Sequence, residues 1–270
     1  MKLAVLCILA VGIALVSADT LDFVRQSVYV TMLERREIGS LSQDNLTARV
    51  LDVLGQASYD RDLAVRDFLA AHSREASRLG RMTMPGQQGE TRFGSDGSVS
   101  TEYQVPLTGS ILAQLLPKTG GGKLLGRVAC PCCGQEWPEG KEVPDGVELV
   151  PYETGPDPGH TGILIDGRGL GYKPALFPRV VNERDQEAYG PGFVDAKKLA
   201  AGGMVAYYPS RAEALTSERI GANPLVVRAM DVTGANSCDF VVTAYDAARI
   251  HGSKANLELL AECRVGVLVE

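Results

Sequence analysis

Gly162-Ile163-Leu164-Ile165-Asp166-Gly167-Arg168-Gly169-Leu170-Gly171 decides the fold class of this chain. The apolar run from Ile163 to Ile165 has a glycine before it and Asp-Gly after it, which reads as a short buried strand closed by a turn. The glycines that follow do not make a dinucleotide fingerprint, because Tyr172-Lys173-Pro174 stands where a helix must begin. Asp166 ends the strand and is a candidate catalytic carboxylate, although Asp before Gly is an ordinary turn signal and no partner acid or histidine lies nearby in sequence.

The same short-strand pattern recurs downstream, at about 176–182, 204–208, 225–230, 240–243 and 264–269, with helical pieces near 194–201, 244–251 and 254–263. Strands and helices mixed in this order predict an α+β domain over 161–270. Upstream, residues 118–160 are rich in Pro and Gly, hold the cysteine cluster and Trp137, and read as a connector.

Residues 19–117 read as a helical segment with a β-hairpin. Leu46, Val50, Val53, Leu54 and Ala57 recur on one face of a 3.6-residue period, with Ser42, Asp44 and Asn45 as capping side chains. A first helix is expected over 21–37 and a third over 60–79. Asp96-Gly97 then separates two β-rich runs, and Val99, Thr101, Tyr103 and Val105 alternate with polar neighbours, as a hairpin with one buried face requires. A short helix from Ser110 to Leu116 ends at Pro117.

Lys2 and the uncharged run Leu3 to Val16, closed by Ser17 and Ala18, read as a secretory signal peptide over 1–18. The run is short of the roughly 20 apolar residues a transmembrane helix needs. Cys7 lies in the middle of the run, where it cannot serve as a lipid acceptor at the cleavage site. Cleavage near Ala18 would place the mature chain in the periplasm or outside the cell. The 45% apolar and 22% charged composition excludes a disordered tail or a multi-pass membrane protein. A net charge of -6 with scattered bases argues against nucleic acid as a partner and allows at most peripheral membrane association.

Cys130-Pro131-Cys132-Cys133-Gly134 is the sharpest local feature, since Cys-Pro-x-Cys-Gly has the shape of one zinc-ribbon knuckle. Cys130, Cys132 and Cys133 are therefore metal candidates, with zinc as the implied ion, and only Cys238, Cys263, His160 or His72 could complete the set. Disulfide chemistry is the rival use in an oxidising compartment. Five cysteines remain beyond the leader, an odd number, so at least one is unpaired within the chain. Cys238 and Cys263, at the edges of two predicted strands, form one candidate pair, and Cys130 with Cys133 another. A redox-active pair is a third use, disfavoured because the Pro- and Gly-rich segment offers no helix N-terminus. Gly120-Gly121-Gly122-Lys123-Leu124 lacks the spacing of a phosphate loop. His72, His160 and His251 each read as surface or capping residues, and no nucleophile motif accompanies them.

The segments Arg92–Val99 with Val105-Pro106-Leu107-Thr108-Gly109, and Gly162–Val180 with Ala188-Tyr189-Gly190 and Asn223–Ala229, resemble a family of exported bacterial envelope proteins that includes outer-membrane lipoproteins and the flagellar basal-disc protein FlgP. The resemblance implies an α+β envelope module, in places assembled into rings or discs, with no catalytic residue or cofactor to carry over. The expected function is that of an exported, non-enzymatic structural or interaction protein whose partners are envelope proteins or further copies of itself. The alternative is a zinc-binding or thiol-redox protein centred on Cys130, Cys132 and Cys133.

Overall fold

A computed structural model describes residues 19–35, 43–156 and 158–269, and the leader read over 1–18 lies outside them. The chain begins with strands, not with the helix expected over 21–37: β1 (Thr20–Asp22) turns into β2 (Ser27–Arg35). The period-2 signal was present in Val28, Val30 and Met32, all buried, and the β-branched content of Ser27 to Met32 suits a pleated surface. Helix α1 (Gln43–Gly55) buries Leu46, Val50 and Leu54, the face its periodicity predicts.

The single helix expected over 60–79 is instead α2 (Val65–Ala71) and α3 (Ser73–Gly80). Asp60 prevents an earlier start, because its Oδ1 accepts from the backbone N–H of Asp62 and Leu63, both at 2.9 Å, and holds a turn there. The hairpin forms as read: β3 (Gln87–Phe93) pairs with β4 (Ser98–Pro106), and Gly97 takes φ +81° in the turn. The helix expected at 110–116 is reduced to a 3-10 turn, Leu112–Gln114. This first sheet runs β1-β2-β4-β3.

Within the connector, β5 (Val128–Ala129) and β6 (Val150–Pro151) form a minimal ladder. Beyond it come β7 (Ile163–Asp166), β8 (Val180–Asn182), β9 (Glu187–Tyr189), α4 (Ala196–Gly202), β10 (Ala206–Tyr208), α5 (Arg211–Thr216), β11 (Leu225–Arg228), β12 (Asp231–Thr233), β13 (Asp239–Val242), α6 (Ala244–Ile250), α7 (Lys254–Ala261) and β14 (Val265–Leu268). They build two four-stranded sheets, β10-β14-β7-β11, parallel throughout, and β12-β13-β8-β9, parallel only between β13 and β8. The fold is mixed α+β.

The sequence of β7 is explained by its place at the centre of the parallel sheet. Ile163 and Ile165 face the main core, whereas Leu164 joins Ala214, Ile220 and Leu268 on the other side, so both faces are covered and the strand has no polar interior position. Gly266 pairs with Leu164, and a Cβ there would lie 2.7 Å from the Tyr208 ring, so a side chain has no room.

One hydrophobic core joins the N-terminal and C-terminal parts, including Val28, Leu54 and Leu112 together with Phe177, Tyr207 and Phe240. Backbone bonds fasten the same junction: Leu176 N–H donates to Ser58 O at 3.0 Å and Phe177 N–H to Tyr59 O at 2.9 Å. Tyr59 stacks on Phe68 with ring centroids 4.2 Å apart and donates its hydroxyl to Leu115 O. No helix among the described residues is long and apolar enough to cross a membrane.

Candidate functional site

A groove of about 730 Å³ lies at one end of the N-terminal sheet, lined by residues of β2, β3, β4 and α1. Register places Leu33, Ser100 and Arg92 in one cross-strand row and Thr31 beside Glu102 in another. Leu33 is 68% exposed and Phe93 81% exposed, the two most open large apolar side chains on this sheet. Both line the groove, but Phe93 pairs with Val99 in the row next to that of Leu33, so the two side chains leave opposite faces of the sheet at its edge; exposed apolar side chains of this size are candidates for contact with another surface. Two charge pairs border it, Arg92 with Glu90 at 2.8 Å and Arg49 with Asp19, and Glu102 lines it as well. Sequence reasoning missed this surface because a helix over 21–37 hides the outward direction of Leu33.

The residues singled out for chemistry are scattered. Asp166 caps its own turn: its two oxygens accept from Nε and Nη2 of Arg168, both at 2.8 Å, and from the Arg168 backbone N–H. The Arg168 hydrogen bond holds the Asp166 carboxyl below the usual range, which leaves it an ionised turn residue without the proton a general acid needs. Of Gly120–Gly122, the first two take positive φ, +87° and +81°, and only Gly122 is closely packed, since a Cβ there would lie 2.7 Å from the Phe193 ring.

His251 stands at the C-cap of α6, as the capping alternative expects, but not on the surface. It is 1% exposed, accepts at Nδ1 from Leu125 N–H and donates from Nε2 to Ala188 O, both at 2.8 Å, which ties the connector to β9. Burial lowers its pKa to about 4, so the ring is neutral and structural. His72 stands exposed between α2 and α3, stacked on Phe68, and His160 is half-buried in the connector.

All five described cysteines are free thiols. Cys238 precedes β13 in one sheet and Cys263 precedes β14 in another, so the candidate pair Cys238–Cys263 is not bridged. Burial pushes Cys238 up to about 12, with the neighbouring Asp239 adding to the shift, and burial also raises Cys263. Both are inert thiols at neutral pH. Cys130 is half-buried, Cys132 and Cys133 are exposed, and no bridge joins Cys130 to Cys133. Among the described residues no three His, Cys, Asp or Glu side chains converge as a metal site, so the three-thiol arrangement is not formed within one chain.

Residues 162–270 match the family profile described as the second domain of Treponema pallidum Tp0624. The match takes in β7 through β14 and less than half of the chain. A search of curated proteins finds no match.

Sequence also gave no warning of the ionic cluster inside this matched region. Asp239 is 0% exposed and accepts from Arg179 through the backbone N–H at 2.9 Å and Nε at 2.8 Å, while Arg61 Nε from the N-terminal part lies 3.8 Å away and pairs with Asp185. Burial is the largest influence on Asp239 and raises its pKa against the pull of Arg179. Asn236 donates to Asp60 O and Leu63 O, and Gly234, at φ +90°, leaves room for the Arg61 backbone that a Cβ would strike at 2.8 Å. Every charge in the cluster has a partner inside the protein, which makes it a clasp between the two parts of the chain.

Proposed function

We propose that this chain is an exported cell-envelope interaction protein, without catalytic activity of its own, that works by association through the groove beside Leu33 and Phe93. The observation that carries the reading is that two large apolar side chains, Leu33 and Phe93, stand exposed among the residues lining one groove of the antiparallel sheet. The leader sequence over 1–18 and the envelope resemblance support export. The partner is tested first as a second copy of the chain.

Sedimentation velocity across a concentration series is expected to show self-association that Phe93→Asp weakens about 30-fold, since an aromatic anchor contributes on the order of 2 kcal/mol to a contact. Leu33→Asp should act in the same direction, and both variants should keep the parent melting temperature because neither side chain is in the core. A monomer at all concentrations that also captures no envelope protein by crosslinking would contradict the reading.

A further inference from the structure

Residues 126–152 form a lobe with almost no core, since Ala129 and Pro151 are its only buried residues. Fixing a residue costs about 1–2 kcal/mol in backbone entropy, and two buried residues, a two-rung ladder and exposed contacts such as the Arg127–Glu136 pair offset little of that over this length. Small lobes of this kind are held by crosslinks or metal ions.

The turn at its tip has the hydrogen bonding of a metal knuckle. Cys130 N–H donates to Gln135 O and Gly134 N–H donates back to Cys130 O, both at 2.9 Å, and Gly134 takes φ +71° to close the loop. Ala129 bridges Glu136, and Trp137 N–H donates to Val128 O at 2.8 Å, which anchors both ends of the turn. Cys130 and Cys133 stand at the spacing from which two thiolates reach one ion. Closed tetrahedral zinc needs four ligands, and no third described side chain of the same chain converges here.

We infer that two copies of the chain share one zinc ion, held by Cys130 and Cys133 of each copy across a two-fold axis. Such a contact is self-complementary, as a two-fold interface requires, and exposure of the lobe lets two tips meet without clash between the cores. Binding is Zn²⁺ plus four thiols giving a tetrathiolate complex and four protons released to solvent, with no change of oxidation state. Cys132 lies outside the ligand set. The inference goes beyond the groove reading, since it uses residues separate from the groove.

The test is native mass spectrometry with metal analysis on the full mature chain, purified under reducing conditions and supplied with zinc. One zinc per two chains is expected, and in the Phe93→Asp chain, where groove association is weakened, a dimer that a chelator returns to monomer and a thiol reductant leaves intact. In that chain Cys130→Ser and Cys133→Ser should each lose both zinc and the dimer while keeping the parent circular dichroism, and Cys132→Ser should keep both. Cobalt substitution should give the ligand-field spectrum of tetrahedral thiolate coordination. One zinc on a monomer, a metal-free chain, or a dimer split by reductant rather than chelator would overturn the inference. Association that survives chelation but is lost in Phe93→Asp would also overturn it while leaving the groove reading in place.

Discussion

Arg179→Met is expected to lower the unfolding free energy by about 3–5 kcal/mol at neutral pH, measured by urea denaturation. Asp239 is wholly buried, and the substitution removes its closest cation while leaving the charge in place. Arg61 cannot compensate from 3.8 Å because its guanidinium is already bonded to Asp185. The sign of the pH dependence follows from the raised pKa of Asp239. A carboxyl that is harder to ionise when folded contributes stability below its unfolded pKa and loses it as pH rises through the folded value. Without Arg179 that pKa rises further, so the deficit should shrink as the pH is lowered and Asp239 takes up a proton. Replacing both partners, as in Arg179→Met with Asp239→Leu, should recover much of the loss, because no buried charge is then left unpaired. If Arg179→Met alone costs less than about 1 kcal/mol, the clasp does not hold the two parts together.

His251 should supply the second large effect, in acid. Its pKa of about 4 in the folded chain lies below the ordinary value of 6.5. The unfolded chain therefore binds the extra proton first, and the stability His251 contributes is complete above pH 6.5 and falls as the pH drops toward 4, by about 3 kcal/mol. Protonation would place a second N–H against Leu125 N–H, which now donates to Nδ1. Burial raises Asp239 and Glu187, which pull the other way over part of this range, so the effect is read as a difference between parent and His251→Gln. The variant should be less stable at pH 7, having lost well-fitted hydrogen bonds, yet fall less steeply on acidification. Parallel stability curves for the two proteins would show that His251 is not the acid-sensitive joint.

The C-terminal half was readable because its signals are local. The apolar run of β7 needs cover on both faces and cannot be an amphipathic helix of useful length, and the caps of α6 and α7 are placed by Thr243 and Ser253 directly before them. The first strands were misread because apolar residues between Leu21 and Leu33 fit a helical face nearly as well as a pleat, and the pairing of β2 with β4 that decides between them spans about seventy residues of chain. Asp239, Arg179 and Arg61 could not be grouped from sequence for the same reason: three separate strands and loops bring them together. His251 gave no hint of burial, since a polar side chain at a helix end looks alike whether it meets solvent or a backbone carbonyl from a distant strand. The Cys130–Gly134 turn is the opposite case, in which five adjacent residues dictate the shape and the structure reproduces the hydrogen bonds that shape requires.

Site-specific photo-crosslinking in the cells that make this protein tests the central claim most directly. A photoreactive residue at position 93, in the groove, is compared with one at position 245 on α6, where Tyr245 is 73% exposed and is not among the residues lining the groove. The account predicts an adduct at 93, in the envelope fraction, with the mass of two chains or of one chain and an envelope protein, and none at 245. Equal crosslinking at both positions, or adducts at 245 alone, would contradict it.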